Sequence, residues 1–444
     1  MWNHLTLKQV LTMCLAALTL SVTAAEAPST NAALAREILG DPTLRAVHQM
    51  AKKLLQTGLT AGSGYGEVWI RDLNTFIEVG LAVNEPTPFR ESLLTLFKFQ
   101  GPTGDIVDGY IPKDRANVRY KYRSSPLAPT LLAHKNTVET DQESSLVQAI
   151  HKYVTVTGDR GILDETISGR TVRERLVAAL DYLRQERFDS THGLVWGATT
   201  ADWGDVQPEH AWGVELDESS HRAIDIYDNA MFIIAIENYL ELVGEKSSAA
   251  AQWGSARDDL KRNVRKHLWD AKRQKFIAHL YLAGSPFPAD FDESAVYYHG
   301  GTAVAIEAGL LTREETIRSL EQMRVNVRQA EAASIGLTLY PTYPKGAFKN
   351  RSMVPFGYQN GGDWCWFGGR TIQQLIRLGL VADAYRELQP MVARVQRTGG
   401  FYEWWSRDNQ PRGSGQFRGS AGVLGRAIEM LQIWAEQNKG PVKP

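Results

Sequence analysis

Apolar residues recur every three or four positions through most of this 444-residue chain, the period of a helix with one buried face. The spacing predicts helices over 32–56, 69–83, 89–99, 141–156, 171–186, 225–243, 248–269, 297–308, 312–323, 371–378, 382–397 and 419–437. Thr140 and Glu143 have the spacing of a capping box at the head of the fourth. Lys275–Leu282 is the one segment with the character of a strand, half of a small hairpin. No repeat of fixed period is present, which argues against a solenoid. Long helices alternating with short connections and long polar loops predict a toroid of helical hairpins. Its loops would converge on one cleft at one end. No linker composition interrupts residues 26–444, so they are expected to form a single domain.

The first 25 residues are set apart. Lys8 precedes an apolar stretch from Val10 to Val22, and the small residues Thr23-Ala24-Ala25 follow. This is the pattern of a secretory signal peptide, cleaved near residue 24 or 25. It predicts a periplasmic or secreted protein with no membrane span after cleavage. Cleavage would remove Cys14 and leave Cys365 without a partner, so no internal disulfide is expected.

Charge excludes a class of partner. Lys and Arg number 49 against 50 Asp and Glu, and no basic stripe is visible. A nucleic-acid footprint is therefore not expected. Eight of the twelve Trp (Trp69, Trp196, Trp203, Trp212, Trp364, Trp366, Trp404 and Trp405) fall in polar, Gly-rich loops rather than in helix cores.

Those loops also carry carboxylates. Glu67-Val-Trp-Ile-Arg-Asp72 is one, and Asp108 to Asp114 with Asn136 to Asp141 a second. Trp196 to Asp205, leading into Asp225 to Asn229, is a third; Tyr358 to Arg370 and Gly400 to Trp405 complete the set. Indole faces stack on the C–H side of a sugar ring, and carboxylates and amides bond its hydroxyls. Cleavage of a glycosidic bond needs an acid at the leaving oxygen and a second carboxylate across the ring. Taken singly, Asp72 and Asp225 also suit helix caps, Asp202 and Asp205 suit turns, and Glu403 suits a solvated loop. No serine-hydrolase elbow, phosphate-binding loop or zinc-protease motif is present, the ten His do not cluster, and neither a metal nor an organic cofactor is expected.

The ordered set Trp-Ile-Arg-Asp72, Glu139-Thr-Asp141, Trp203-Gly-Asp205, Asp225 to Ala230, Gln-Asn-Gly-Gly-Asp-Trp364 and Phe-Tyr-Glu-Trp404 resembles the six-hairpin glycosidases. By motif it is similar to neutral/alkaline invertases, amylo-α-1,6-glucosidases and the processing α-glucosidase/mannosylglycerate hydrolase group. The resemblance covers about residues 60–430. It implies an all-α (α/α)6 barrel and an inverting glycosidase acting on an α-glucoside-like oligosaccharide or disaccharide. By resemblance the general acid falls on Asp205, with Asp202 as rival, and the general base on Glu403. Trp69, Arg71, Asp72, Asp108, Glu139, Asp141, Trp203, Asp225, Tyr227, Asn229, Asn360, Asp363, Trp364 and Trp404 are the implied sugar-binding residues. Trp196, Trp203 and Trp404 are expected to exclude water from Asp205 and keep it in its acid form.

Other readings remain open on sequence alone. An unsaturated-uronyl hydrolase or polysaccharide lyase on the same toroid needs cations for a uronate, and Arg71, Lys113, Arg115 and Arg370 are available. A sugar epimerase would need a pair of His. A carbohydrate-binding protein without activity needs aromatics but no paired acids.

Overall fold

The computed structural model describes residues 27–440 apart from 117–119, 213 and 245–247. The expected signal peptide, residues 1–25, lies outside the described residues. Local chemistry sets the helix starts. Asp41 accepts the backbone N–H of Thr43 (2.8 Å), and Pro42 opens the helix behind it, having no N–H to continue the preceding one. The single helix expected over 32–56 is therefore two, α1 (Ala27–Gly40) and α2 (Pro42–Leu55). The others are α3 (Ile70–Leu81), α4 (Pro86–Lys98), α5 (Gln142–Thr157), α6 (Val172–Glu186), α7 (Ile226–Val243), α8 (Ser248–His267), α9 (His299–Glu307), α10 (Arg313–Ala330), α11 (Cys365–Arg377), α12 (Val381–Thr398) and α13 (Arg418–Asn438).

Thr171 with Glu174 and Thr312 with Glu315 form capping boxes for α6 and α10. The box expected at Thr140 and Glu143 does not form. Glu143 instead accepts the N–H of Ile106 and the ammonium of Lys135, both at 2.8 Å, while Thr140 donates to the carbonyl of Trp196. Helix α11 begins at Cys365 rather than Thr371, because Gly368 and Gly369 interrupt the apolar period there. An added Cβ at Gly368 would meet Gly336 backbone at 2.9 Å.

Helices α3, α5, α7, α9, α11 and α13 each pack against the next, and α13 packs back on α3. They form a closed inner ring. Helices α2, α4, α6, α8, α10 and α12 lie outside it, each against its hairpin partner, and α1 lies along α13. This is the (α/α)6 barrel. Inner helices are covered on all sides; every residue of α7 from Ile226 to Ile236 is buried. Backbones approach closely where α13 meets α3, and a Cβ on Gly422 would lie 2.3 Å from that of Phe76.

The single strand segment expected at Lys275–Leu282 underestimates the β-structure. The described residues hold sixteen short strands in seven small sheets, all in the loops. Lys275–Phe276 pairs with Trp269–Asp270, and Leu280–Tyr281 pairs with Arg222–Ile224. Most are two residues long, too short for alternation to register in sequence. At the far end of the ring, Asn74, Lys152, Glu307 and Arg370 fill the lumen around a cavity of about 30 Å³. No described helix is long and apolar enough to cross a membrane.

Candidate active site

The N-terminal ends of the inner helices converge on one cavity of about 380 Å³, a size suited to a small ligand. Its walls are assembled from loops. Val68–Trp69, Gly109–Pro112 and Leu131–His134 form a three-stranded sheet that brings Trp69, Asp108 and His134 to one side. Gly109 faces Trp69, whose ring would meet an added Cβ at 2.5 Å. The first turn of α3 adds Arg71 and Asp72, and the turn before α5 adds Glu139. Trp203 and Asp205 come from the loop after Gly197–Ala198, Tyr358 to Trp364 from the loop before α11, and Glu403 from a hairpin.

The cavity therefore brings together Trp69, Arg71, Asp72, Asp108, Glu139, Trp203, Asp205, Trp364 and Glu403. Glu403 sits on Tyr402–Trp405, paired with Pro411–Gly415. Its Oε1 accepts the Tyr65 hydroxyl at 3.0 Å, and its Oε2 accepts the Ser414 N–H at 2.8 Å. Gly413, at φ +68°, makes this approach possible, since an added Cβ would lie 2.4 Å from Oε2. Burial pushes the Glu403 carboxyl up to about 7; the two donors oppose this and the charge of Asp205 adds to it.

Asp205 is half-buried. Gln359 clasps it, donating Nε2–H to Oδ1 at 2.7 Å and accepting the Asp205 N–H at 3.3 Å. The second contact fixes which way the amide points. Oδ2 has no hydrogen-bond partner among the described residues.

Arg71 is committed. Its guanidinium bonds Glu139 at close range and Asp141 at 2.9 Å, and Asp141 also accepts the Tyr227 hydroxyl at 2.6 Å. Burial holds the Glu139 carboxyl well above the usual range despite Arg71, and Asp141 and Asp108 reinforce it. Asp72 is raised by burial and then by Glu403, and Asp108 is pushed up to about 7, chiefly by burial. Arg71 is the one formal cation among the described lining residues, against six carboxyls. His134, lowered to about 4 by burial, is neutral above pH 5.

Several expected site residues do different work. Asp202 does not line this cavity: it is buried at φ +57°, and its carboxylate accepts the N–H groups of Gly300 and Gly301 (2.6 and 2.7 Å). It meets the first-turn N–H groups of α9, while Asp205, the other candidate for the acid, is the one that lines the cavity. Asp225 caps α7 through the Asp228 N–H, and Asn229 pins Val195 through both its N–H and its carbonyl. Asn360 ties Tyr343 to Met353, and Asp363 is paired with Arg394 and Ser334. Asp141 and Tyr227 stand behind Arg71, outside the lining. Trp404 packs beside Tyr358, also outside it. The expected indole cage around Asp205 is thus not present; Trp196 lies between Arg187 and Arg222.

The aromatic floor is instead Trp203, Trp364, Trp366 and Phe417, with Trp203 and Trp364 edge to face at 4.7 Å. Tyr65, Glu67, Tyr120, His134, Tyr358 and Gln359 line the cavity without having been singled out as sugar contacts. Gln359 lies within a motif loop, and Tyr65 and His134 each lie two residues ahead of one. Buried polar atoms without hydrogen-bond partners cluster here: Asp72 Oδ1, both ring nitrogens of His134, and the indole N–H groups of Trp203 and Trp366. Such groups cost about 1–3 kcal/mol each unless something polar meets them, and sugar hydroxyls are suited to do so.

Solved structures with the same architecture include the GH63 mannosylglycerate hydrolase of Thermus thermophilus in complex with glucose. It superposes with a TM-score of 0.61 at 17% identity, over 86% of this chain and 99% of that one. The same enzyme in complex with Tris and D-glycerate gives 0.61 at 18% identity, with the same coverage. A rhamnosidase from Klebsiella oxytoca with rhamnose bound gives 0.57 at 15% identity, over 88% of this chain and 64% of that one. No curated protein matches the chain in sequence. The family model for the glycosyl hydrolase 94 superfamily catalytic domain matches residues 46–395. The chain belongs to that family, a glycoside hydrolase on the six-hairpin (α/α)6 barrel.

Proposed function

We propose that this protein hydrolyses an α-glucoside-like bond in a disaccharide or oligosaccharide with inversion, Asp205 acting as general acid and Glu403 as general base. The hydrogen-bond pattern of the two carboxyls carries the assignment. Both Glu403 oxygens accept from donors, the arrangement of a carboxylate ready to take a proton. Asp205 accepts from Gln359 on Oδ1 only, so Oδ2 is the oxygen that can hold a proton and deliver it to the leaving oxygen. In the step, Glu403 takes a proton from water as its oxygen bonds to the anomeric carbon on the face opposite the departing oxygen. The C–O bond breaks, and the leaving oxygen receives the proton of Asp205. Inversion calls for carboxyls roughly 6.5–9.5 Å apart, which leaves room for the water. A neutral sugar suits a wall whose one cation among the described residues is already paired; this disfavours a uronate and with it the lyase or uronyl-hydrolase reading.

One observation favours the opposite assignment: the raised Glu403 carboxyl is also what a resting acid requires. Leaving-group dependence separates the two. Asp205→Asn is expected to lose on the order of 10²–10⁴-fold on a disaccharide and much less on an aryl glycoside whose leaving group needs no proton. Glu403→Gln is expected to lose activity on both substrates. Rescue of Glu403→Gln rather than Asp205→Asn by the activated substrate would reverse the roles. The reading includes export, supported by residues 1–25; mature material from outside the cytoplasm should begin near Ala25 or Glu26, and retention of Met1 would contradict it.

A further inference from the structure

Asp205 sits in a cradle that fixes its backbone as well as its carboxyl. Arg71 Nη1 donates to the Trp203 carbonyl at 3.3 Å, and the Gly204 N–H donates to the Ala201 carbonyl at 3.1 Å. At Asp205 itself, Asn136 Nδ2 donates to the carbonyl at 3.3 Å, and the N–H donates to Gln359 Oε1 at the same distance. Gln359 is 1% exposed, so its amide depends on partners within the protein. The turn that carries it is fixed in its own right. Gly357 and Asn360 pair across it, Tyr358 holds a left-handed φ of +42°, and the Gln359 carbonyl accepts the Thr338 hydroxyl at 2.8 Å. The Thr338 oxygen in turn accepts the Gly361 N–H at 2.8 Å. Gly204 leaves room for the approach, since an added Cβ would lie 3.0 Å from Gln359 Oε1.

The direction of the Gln359 amide follows from these contacts. A flipped amide would set its NH2 against the Asp205 N–H, donor against donor, so Oε1 stays on the backbone and Nε2 on Oδ1. Oδ1 is thereby held as an acceptor, and a proton on the carboxyl belongs on Oδ2. As the C–O bond of the substrate breaks, that proton passes to the leaving oxygen and Asp205 is left as a carboxylate. The Nε2–H bond strengthens as its acceptor gains charge, so it favours the transition state over the ground state. We propose that Gln359 is the positioning residue of the general acid: it confines the transferable proton of Asp205 to Oδ2 and stabilises the carboxylate left behind. This rests on the assignment of Asp205 as the acid.

The test is kcat and KM for Gln359→Met and Gln359→Glu on a disaccharide and on an activated aryl glycoside, with Asp205→Asn measured alongside. Met is of similar length and makes neither bond. Glu keeps an acceptor for the Asp205 N–H but faces Oδ1 with a second carboxyl oxygen, which draws the proton between the two and away from the leaving oxygen. Both variants are expected to lose on the order of tenfold or more in kcat on the disaccharide, part of the ~10²–10⁴-fold that a positioned acid supplies, and far less on the aryl glycoside. KM should stay within about twofold on both substrates. The ratio of the two rates within one variant does not depend on the fraction folded, so partial unfolding cannot imitate the split. Equal losses on the two substrates, a rise in KM at unchanged kcat, or full activity of Gln359→Glu on the disaccharide would overturn the inference. If Asp205→Asn shows the split and the Gln359 variants do not, this inference falls alone. If Asp205→Asn shows no split, the assignment of the acid falls and takes the role of Gln359 with it.

Discussion

Tyr65 offers the sharpest test of how Glu403 is tuned. Its hydroxyl donates to Oε1 at 3.0 Å, and this bond favours the ionised carboxylate against the burial that pushes the group up to about 7. Tyr65→Phe removes one donor and leaves the Ser414 N–H in place. A hydrogen bond to a charged group contributes about 1.5–3 kcal/mol, and each pH unit corresponds to about 1.4 kcal/mol. The Glu403 carboxyl should therefore rise by roughly one to two pH units. A base must be ionised to act, so activity falls as pH drops through this value, and the acid limb should move to higher pH. The assay is kcat/KM from pH 5 to 10 on an activated aryl glycoside, which removes dependence on the acid. The variant should fall about tenfold or more below wild type at pH 6 and approach it at pH 10. An acid limb that stays in place or moves to lower pH would refute the reasoning. Movement of the alkaline limb alone, in the same profile on a disaccharide, would mark Glu403 as the acid.

Two further outcomes follow from the same contacts. Asp202→Ala strips the cap from α9 and leaves the Gly300 and Gly301 N–H groups without acceptors, so thermal unfolding should show a loss of about 1–3 kcal/mol. Asp202→Asn should keep most of its activity on a disaccharide, and a collapse of kcat in the folded variant would restore Asp202 as the acid. Glu403→Gln should be more stable than wild type at pH 8 by roughly 1–3 kcal/mol, because the folded chain holds this carboxyl near 7 against an ordinary 4.5. The folded state then binds the proton more tightly than the unfolded, so the cost of ionisation is fully present above pH 7. It fades as pH falls from about 7 toward 4, and a gain that grows on acidification would contradict this.

The barrel was legible because each hairpin announces itself through helical spacing, and even the heads of α6 and α7 are readable at Thr171 and Asp225. The errors have local causes. Pro42 breaks a continuous apolar pattern, Gly368 and Gly369 hide the start of α11, and Glu143 serves Lys135 instead of its own helix. The loop motifs identified which segments meet, but not which side chain in each segment reaches the cavity. Asp202 and Asp205 lie three residues apart around the indole of Trp203, and only the turn at Asp202 sends one carboxylate to a helix end and the other to the cavity. Asp225, Asn229, Asn360 and Asp363 are chemically suited to sugars and are consumed by caps and ties in the loops. His134 lies near a motif loop in sequence, but its place on the cavity wall depends on the pairing of Gly109 with His134 across two strands.

The central claim is that Asp205 and Glu403 act from opposite faces of one sugar, with water attacking opposite the leaving oxygen. The most direct measurement is the anomeric configuration of the first product, read by proton NMR within the first minutes of hydrolysis, before mutarotation. An α-glycoside should yield the β-anomer first, and that signal should vanish in Glu403→Gln. Initial release of the α-anomer would mean retention through a covalent intermediate and would contradict the account.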